Sequence, residues 1–240
     1  LLGFIHHPLS LETGIAPAMA ERMAGIERRL WPMLRGLLCP SAHTARCLAD
    51  AGVDAARIAV TPPGTERPPE DAVHQLAGAG DGGTLRLLSI GSVVPRKGHR
   101  LLVEALAGLK ALPWRLNCIG STERDLAAVA GVRAAIASHG LDGRVALAGE
   151  VGPDALREAW HDADVFVLPS SHEGYGMAYA EAMARGLPVI GTTAGAIPDT
   201  VPETAGLLVE AGDVDALRIA LERLMVDAAL RQQLAAGALE

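Results

Sequence analysis

The chain has 240 residues, of which 50% are hydrophobic, 20% charged and only 3% aromatic. Its formal net charge of −7 argues against a broad nucleic-acid-binding face, because neutralising phosphates requires clustered Lys and Arg. No apolar run approaches the roughly 20 residues of a membrane-spanning helix, and nothing at Leu1 resembles a signal peptide. Three cysteines without metal-type spacing predict reduced thiols in a cytoplasmic protein.

Residues 1–65 predict an incomplete α/β domain. The expected elements are an apolar strand ending at His6, a helix over Pro17–Trp31, a strand at Gly36–Cys39, a helix capped by Ser41, and a strand at Arg57–Val60. Two or three strands are too few for a sheet of about five or six. We therefore interpret residues 1–65 as the remnant of a larger domain in a truncated chain. Residues 66–83 are rich in Pro, Gly and acids and predict a linker or surface loop.

Residues 84–240 predict a second, nearly complete domain in which strands and helices alternate. The predicted strands are Leu85–Ile90, Arg115–Ile119, Val145–Ala148, Val165–Leu168, Leu187–Gly191 and Leu207–Val209. The predicted helices are Gly98–Leu109, Glu123–Ser138, Pro153–Trp160, Met177–Arg185, Val214–Val226 and Ala228–Leu239. Short apolar strands alternating with helices are typical of a doubly wound parallel sheet, which binds ligands beyond the carboxyl ends of its strands.

A cationic loop, residues 91–98, follows the first of these strands and precedes a helix. Its glycines allow a sharp turn, and Arg96 and Lys97 place two cations beside the helix N-terminus. This combination suits a diphosphate. An ordinary solvated loop with surface charges is the alternative, and the spacing alone does not decide between them.

An acidic loop, residues 170–176, also lies between a strand and a helix. Glu173 precedes its glycines, and Glu181 follows about one turn inside the helix among small residues. Two carboxylates lining one cleft could accept hydrogen bonds from the hydroxyls of a ribose and a sugar. The alternative is a capping acid and a surface Glu, but a charge on a packed helix needs a partner.

The block at 164–198, DVFVLPSSHEGYGMAYAEAMARGLPVIGTTAGAIP, resembles the donor-binding region of family-4 GT-B glycosyltransferases, in which two glutamates form an E-x7-E motif. Four further motifs follow the family order: Pro63–Thr65, Arg96–Gly98, Gly149–Val151 and Gly206–Val209. The resemblance covers residues 57–240. It implies a GT-B fold with a Rossmann-like, doubly wound nucleotide-sugar domain at 84–240.

The resemblance also implies roles for individual residues. Lys97 and Arg96 would contact the donor diphosphate, Glu181 the ribose, and Glu173 the transferred sugar, with Lys97 and Glu173 part of the catalytic site. Ser92 occupies a position in the phosphate-binding loop where the family often has Arg. This leaves the loop one charge short unless Arg96 compensates.

Backbone groups complete the implied donor site. Those of Gly174, Tyr175, Gly176 and Met177 would face the sugar and the distal phosphate. The nucleobase would lie against Gly149, Glu150 and Val151. His6 stands in a pattern similar to the family's Gly-aromatic-His, which implies a catalytic contact with the sugar or acceptor; a structural histidine, or His7 in its place, is the alternative.

These residues predict a glycosyltransferase that moves a sugar from a nucleotide-diphosphate sugar to an acceptor with retention of anomeric configuration. We expect no cofactor and no metal, since fixed cations can stabilise the leaving diphosphate. The acceptor, a lipid, polysaccharide or small molecule, is unknown, and peripheral contact with the inner face of the membrane stays open. The alternatives are an isolated nucleotide-sugar-binding module and a GT-B epimerase or phosphorylase.

Overall fold

The computed structural model of the protein describes residues 1–12, 14–66, 68 and 83–240. Within these residues the strands form two parallel sheets, one of three strands and one of six. The predicted linker lies outside the described residues except for residues 66, 68 and 83. We call residues 1–65 the smaller region and residues 84–240 the larger region.

The smaller region contains a parallel sheet in the order β1-β2-β3. Its elements are β1 (Leu2–Phe4), α1 (Pro17–Leu30), β2 (Gly36–Cys39), α2 (Ala42–Asp50) and β3 (Ile58–Val60). Ser41 caps α2 as predicted, since its side chain accepts a hydrogen bond from the Thr44 N–H. Arg57, predicted as the start of β3, instead ends a 3-10 turn that Asp54 caps.

The larger region contains a parallel sheet in the order β6-β5-β4-β7-β8-β9. Its strands are β4 (Leu85–Ile90), β5 (Trp114–Ile119), β6 (Val145–Gly149), β7 (Val165–Val167), β8 (Val189–Thr192) and β9 (Gly206–Val209). The chain runs outward from β4 to one edge, returns, and runs from β7 to the other edge. The strand order therefore reverses between β4 and β7, the place where such sheets open a crevice for ligands.

Helices cover both faces of this sheet. They are α3 (His99–Ala107), α4 (Leu126–Ser138), α5 (Pro153–Asp162), α6 (Met177–Met183), α7 (Ile197–Thr200), α8 (Val214–Val226) and α9 (Ala228–Ala238). Alternate strand residues enter different cores: Leu87 packs on the side of α3 and α8, and Leu88 on the side of α5 and α6. This two-sided burial explains why most strand residues are apolar.

The predicted doubly wound sheet is confirmed, with small differences at strand and helix ends; β8, for example, begins at Val189 rather than Leu187. Helix α4 begins at Leu126 rather than Glu123, because the Asp125 side chain accepts from the Ala128 N–H and sets the start. Helix α6 ends at Met183, and the following turn closes at Gly186. The short helix α7 was not predicted, because its four residues are too few to show a period.

Candidate functional site

A cleft of about 490 Å³ lies where β4 and β7 end. The cationic loop follows β4 and the acidic loop follows β7, so neighbouring strands deliver both loops to the same edge of the sheet. The predicted site residues that line the cleft are His6, Arg96, Lys97, Glu173, Gly174, Tyr175, Gly176, Met177 and Glu181. Residues separated by more than 80 positions in the sequence thus share one hollow.

Lys97 and Glu173 are bonded directly to each other. The Lys97 ammonium lies 2.7 Å from Glu173 Oε1, and the Ser170 hydroxyl donates to the same oxygen at 2.7 Å. Glu173 is only 8% exposed, so these donors replace the contacts with water that its carboxylate lacks. The pair holds the two loops together and keeps a cation at the cleft wall.

Arg96 links the cationic loop to both regions of the molecule. Its guanidinium donates to the His172 carbonyl at 2.9 Å and lies 3.5 Å from Glu173 Oε2. Its Nε lies 3.1 Å from Glu12 Oε1 in the smaller region. Because protein groups already engage it, Arg96 orients the loops as well as adding positive charge to the cleft.

Glu181 lies at the junction of two hollows. It lines the main cleft, and with Met177 it also lines a second cleft of about 430 Å³ bordered by Pro153, Leu156 and residues 64–66. Burial raises the pKa of Glu181, and the nearby positive charge of Arg185 opposes that rise. The Arg185 guanidinium also stacks 5.0 Å from the Trp160 ring centre.

Two neighbouring histidines at the end of β1 also line the cleft. His7 Nε2 lies 3.0 Å from Glu12 Oε2. The exposed His6 ring packs edge-on to Phe4 at 4.8 Å, and no described residue forms a hydrogen bond to it. Of the two alternatives raised by the sequence, His6 is therefore the ring whose nitrogens are available to a ligand.

The glycines of both loops allow close backbone approach. Gly98 has a φ of +70°, and a Cβ there would lie 2.2 Å from the Pro169 carbonyl oxygen, which brings the two loops together. Gly174 abuts the end of β1, since a Cβ there would lie 2.3 Å from the His6 carbonyl oxygen. Any larger residue at either position would force the walls of the cleft apart.

Ser92 and the turn Gly149–Val151 do not line the main cleft. The Ser92 carbonyl accepts from the Val94 N–H within its own turn. The Gly149–Val151 turn begins at the last residue of β6, which β5 separates from β4. Contact of these four residues with a donor therefore stays a prediction, and the turn could reach only the nucleobase end of a long ligand.

Several contacts at the cleft were not predicted from the sequence. Ser170 was not singled out, although a small hydroxyl residue three positions before a glutamate is a signal for a local hydrogen bond. The hydroxyls of Ser41 and Thr44 bond to the Gly174 carbonyl from the smaller region. No sequence pattern indicates such a contact, because it depends on how the two regions dock.

Acidic pairs elsewhere in the chain are engaged by other groups. Of the Asp-x-Asp triplets at 162–164 and 213–215, the first pairs with Arg86 and the second caps α8 through Asp213. Neither triplet lines the main cleft. Across the described residues, no group of three His, Cys, Asp or Glu side chains is arranged to hold a metal ion. None of the described helices is long and apolar enough to cross a membrane.

Residues 84–227 match the sequence model of the family described as glycosyl transferases group 1. The chain is 29% identical over 232 residues to a D-inositol 3-phosphate glycosyltransferase of Pseudarthrobacter chlorophenolicus, covering 93% of this chain and 55% of that protein. It is 28% identical over 251 residues to an MMP alpha-(1->4)-mannosyltransferase of Mycolicibacterium hassiacum, covering 94% and 56%. The chain thus spans about half the length of these curated relatives.

Solved structures show the same fold. Sucrose-phosphate synthase from Thermosynechococcus elongatus superposes with a TM-score of 0.83 at 28% identity, covering 99% of this chain and 61% of that one. Anabaena HepE in complex with UDP and glucose also gives a TM-score of 0.83, at 18% identity, covering 99% and 65%. Both are GT-B enzymes, so the GT-B expectation is confirmed at the level of the fold.

Proposed function

Because the chain belongs to the glycosyl transferases group 1 family, we propose that it binds a nucleotide-diphosphate sugar and transfers the sugar to an acceptor with retention of anomeric configuration. One observation carries the proposal: Lys97, Glu173 and Glu181 line a single cleft at the point where the strand order reverses. A cation beside two carboxylates matches a ligand that carries a diphosphate between two hydroxyl-rich rings.

The donor would extend along the cleft with its diphosphate at Lys97. Glu181 would accept hydrogen bonds from the ribose hydroxyls, since a carboxylate can bind two vicinal hydroxyls at once. The nucleobase would then continue beyond Glu181, between the second cleft and the Gly149–Val151 turn. The sugar would occupy the other end, near Glu173, the loop 174–177 and His6.

In the transfer step, the bond between the anomeric carbon and the diphosphate oxygen breaks while a bond to the acceptor oxygen forms on the same face. The acceptor loses its proton, and the departing diphosphate oxygen can accept it. Negative charge grows on the diphosphate, and Lys97 would stabilise it with the added field of Arg96. No metal is needed for this. Glu173 Oε1 is already bonded to Lys97 and Ser170, so we assign Glu173 to orientation rather than to a covalent intermediate.

A thermal-shift screen of UDP-glucose, GDP-mannose and ADP-glucose, with EDTA present, tests the proposal. One of the three should raise the melting temperature, because a ligand that binds only the folded state stabilises it. The same mixture with glycosyl acceptors is then analysed for products. Glycoside formation supports transfer, binding without product supports a binding module, and an epimerised donor or a free sugar phosphate supports an epimerase or phosphorylase. Absence of stabilisation by all three donors would contradict the proposal.

A further inference from the structure

The carbonyl of Gly174 is held by two hydroxyls of the smaller region. The Ser41 hydroxyl donates to it at 2.6 Å and the Thr44 hydroxyl at 3.2 Å. Both hydroxyl residues are almost fully buried, at 3% and 1% exposure. A carbonyl oxygen has two lone pairs and can accept both bonds. The cap and first turn of α2 therefore hold the Gly174 carbonyl oxygen of the acidic loop by two hydrogen bonds.

Two neighbouring contacts also join the smaller region to the larger one. The His6 carbonyl packs so close to Gly174 that no side chain fits between them. Next to it, the His43 N–H donates to Asp199 Oδ2 at 2.8 Å, which ties α2 to α7. The loop is anchored on its own side as well, because the Glu173 carbonyl accepts from the Ala196 N–H at 2.8 Å.

The direction of this carbonyl fixes the peptide group that follows. In a trans peptide the C=O and the next N–H point in opposite directions, so the Tyr175 N–H faces away from α2. Within the described part of the chain, no hydrogen-bond acceptor is found for the Tyr175 N–H. Gly174 and Tyr175 both line the cleft. The Ser41 and Thr44 hydroxyls thus determine how the cleft wall presents its backbone.

We propose that Ser41 and Thr44 are positioning residues for the donor sugar, which they serve by fixing the Gly174–Tyr175 peptide without touching the nucleotide. This inference rests on the proposed function. It assigns the smaller region a role in recognising the sugar, while the diphosphate and ribose depend on Lys97 and Glu181 in the larger region. Losing the two hydroxyls should therefore weaken sugar binding selectively.

Two variants separate this role from the capping of α2. Ser41→Asp keeps an oxygen that can accept from the Thr44 N–H, but its carboxylate cannot donate to Gly174. Thr44→Val keeps the shape and removes only the hydroxyl. Ser41→Thr keeps both the cap and the donated hydrogen bond and should behave like wild type. Ser138→Asp, at the exposed end of α4, introduces the same charge as Ser41→Asp and is its control.

The first measurement uses the protein without ligand. The ¹³C resonance of the Gly174 carbonyl and the amide resonance of Tyr175 report on the bonds to that peptide. Ser41→Asp and Thr44→Val should shift both resonances, whereas Ser41→Thr and Ser138→Asp should leave them in place. Unchanged resonances in both test variants would show that the Ser41 and Thr44 hydroxyls do not bond to the Gly174 carbonyl.

The second measurement titrates matched pairs: UDP and UDP-glucose, GDP and GDP-mannose, ADP and ADP-glucose. For the pair that wild type binds, both test variants should lose roughly tenfold in affinity for the nucleotide sugar, as expected for one lost hydrogen bond, and less than twofold for the free diphosphate. Equal losses for both ligands would overturn the positioning role. If wild type binds none of the six ligands, the proposed function fails. The resonances still show separately whether the two hydroxyls bond to the Gly174 carbonyl.

Discussion

The two regions of this molecule differ in how they are stabilised. The larger region buries two apolar cores, one on each face of its six-stranded sheet. Among its described residues, the smaller region has one core of six buried side chains around Trp31 and Leu37, and it leaves Leu2 and Met33 exposed. The larger region thus holds the charged site residues on a well-packed frame, and the smaller region closes the cleft with a few contacts.

The difference predicts that the smaller region unfolds first. Trp31→Ala should cost about 3–5 kcal/mol, because it removes the largest side chain of the smaller core. Hydrogen exchange should then show unprotected amides in β2 while β4 and β7 stay protected. Leu30→Ala, at a half-exposed position, is the control and should change little. Simultaneous loss of protection in both sheets would mean that the two regions fold as a single unit.

Acid should weaken the larger region through His99. This ring is 2% exposed, neither of its nitrogens has a partner among the described groups, and burial, with a smaller contribution from Lys97, lowers its pKa to about 4. The folded state therefore holds His99 neutral. Its contribution to stability is complete above pH 6.5 and is lost as the pH falls to about 4, at about 1.4 kcal/mol per pH unit.

Urea unfolding between pH 7.5 and 4.5 measures this loss. His99→Leu should flatten the pH dependence, whereas His161→Leu at an exposed site should not. Two histidines where the smaller and larger regions meet add an effect of the same sign. Burial lowers the pKa of both His43 and His172, whose ring centroids lie 5.5 Å apart. A pH profile unchanged by His99→Leu would rule out His99 as the source.

Glu181→Gln should weaken binding of the free nucleoside diphosphate about tenfold, since ribose loses a charged acceptor worth about 1.5 kcal/mol. Burial raises the pKa of Glu181. As the pH is lowered, wild-type affinity should therefore begin to fall at a higher pH than it would if the carboxylate had the pKa of an ordinary Glu. Isothermal titration measures both effects, with the exposed Glu158→Gln as control. Full affinity in Glu181→Gln would remove Glu181 from the donor site.

The smallest expected effect concerns the ion pair between Arg46 of the smaller region and Asp199 of the larger region. The Arg46 side chain is 62% exposed, and its guanidinium lies 3.6 Å from the Asp199 carboxylate. Arg46→Ala should therefore change the free energy of unfolding by no more than about 0.5 kcal/mol. Salt should reduce even this difference. A larger change would mean that this ion pair contributes more to stability than an exposed pair normally does.

Much of the larger region could be predicted from sequence because local and global signals agree there. Strand β4 was predicted to the residue, since an apolar run ends at Gly91, and Asp213 before a periodic segment marks the start of α8. The shared edge for Lys97 and Glu181 followed from strand–helix alternation alone.

Other features could not be predicted because they depend on tertiary contacts. The Lys97–Glu173 bond and the hold of Ser41 on Gly174 join residues far apart in the chain. Their geometry exists only once loops and regions are docked. The placement of Gly149–Val151 outside the main cleft likewise reflects strand order, which periodicity does not encode.

The most direct test of the central claim is the affinity of Lys97→Gln for UDP and UMP, or for the guanosine or adenosine pair if the donor screen selects one. Lys110→Gln, a change at the only other lysine, is the matched control. We predict that Lys97→Gln loses at least tenfold more affinity for the diphosphate than for the monophosphate, since a charge-assisted contact is worth about 1.5–3 kcal/mol. An equal loss for both nucleotides, or none, would contradict a diphosphate site at Lys97.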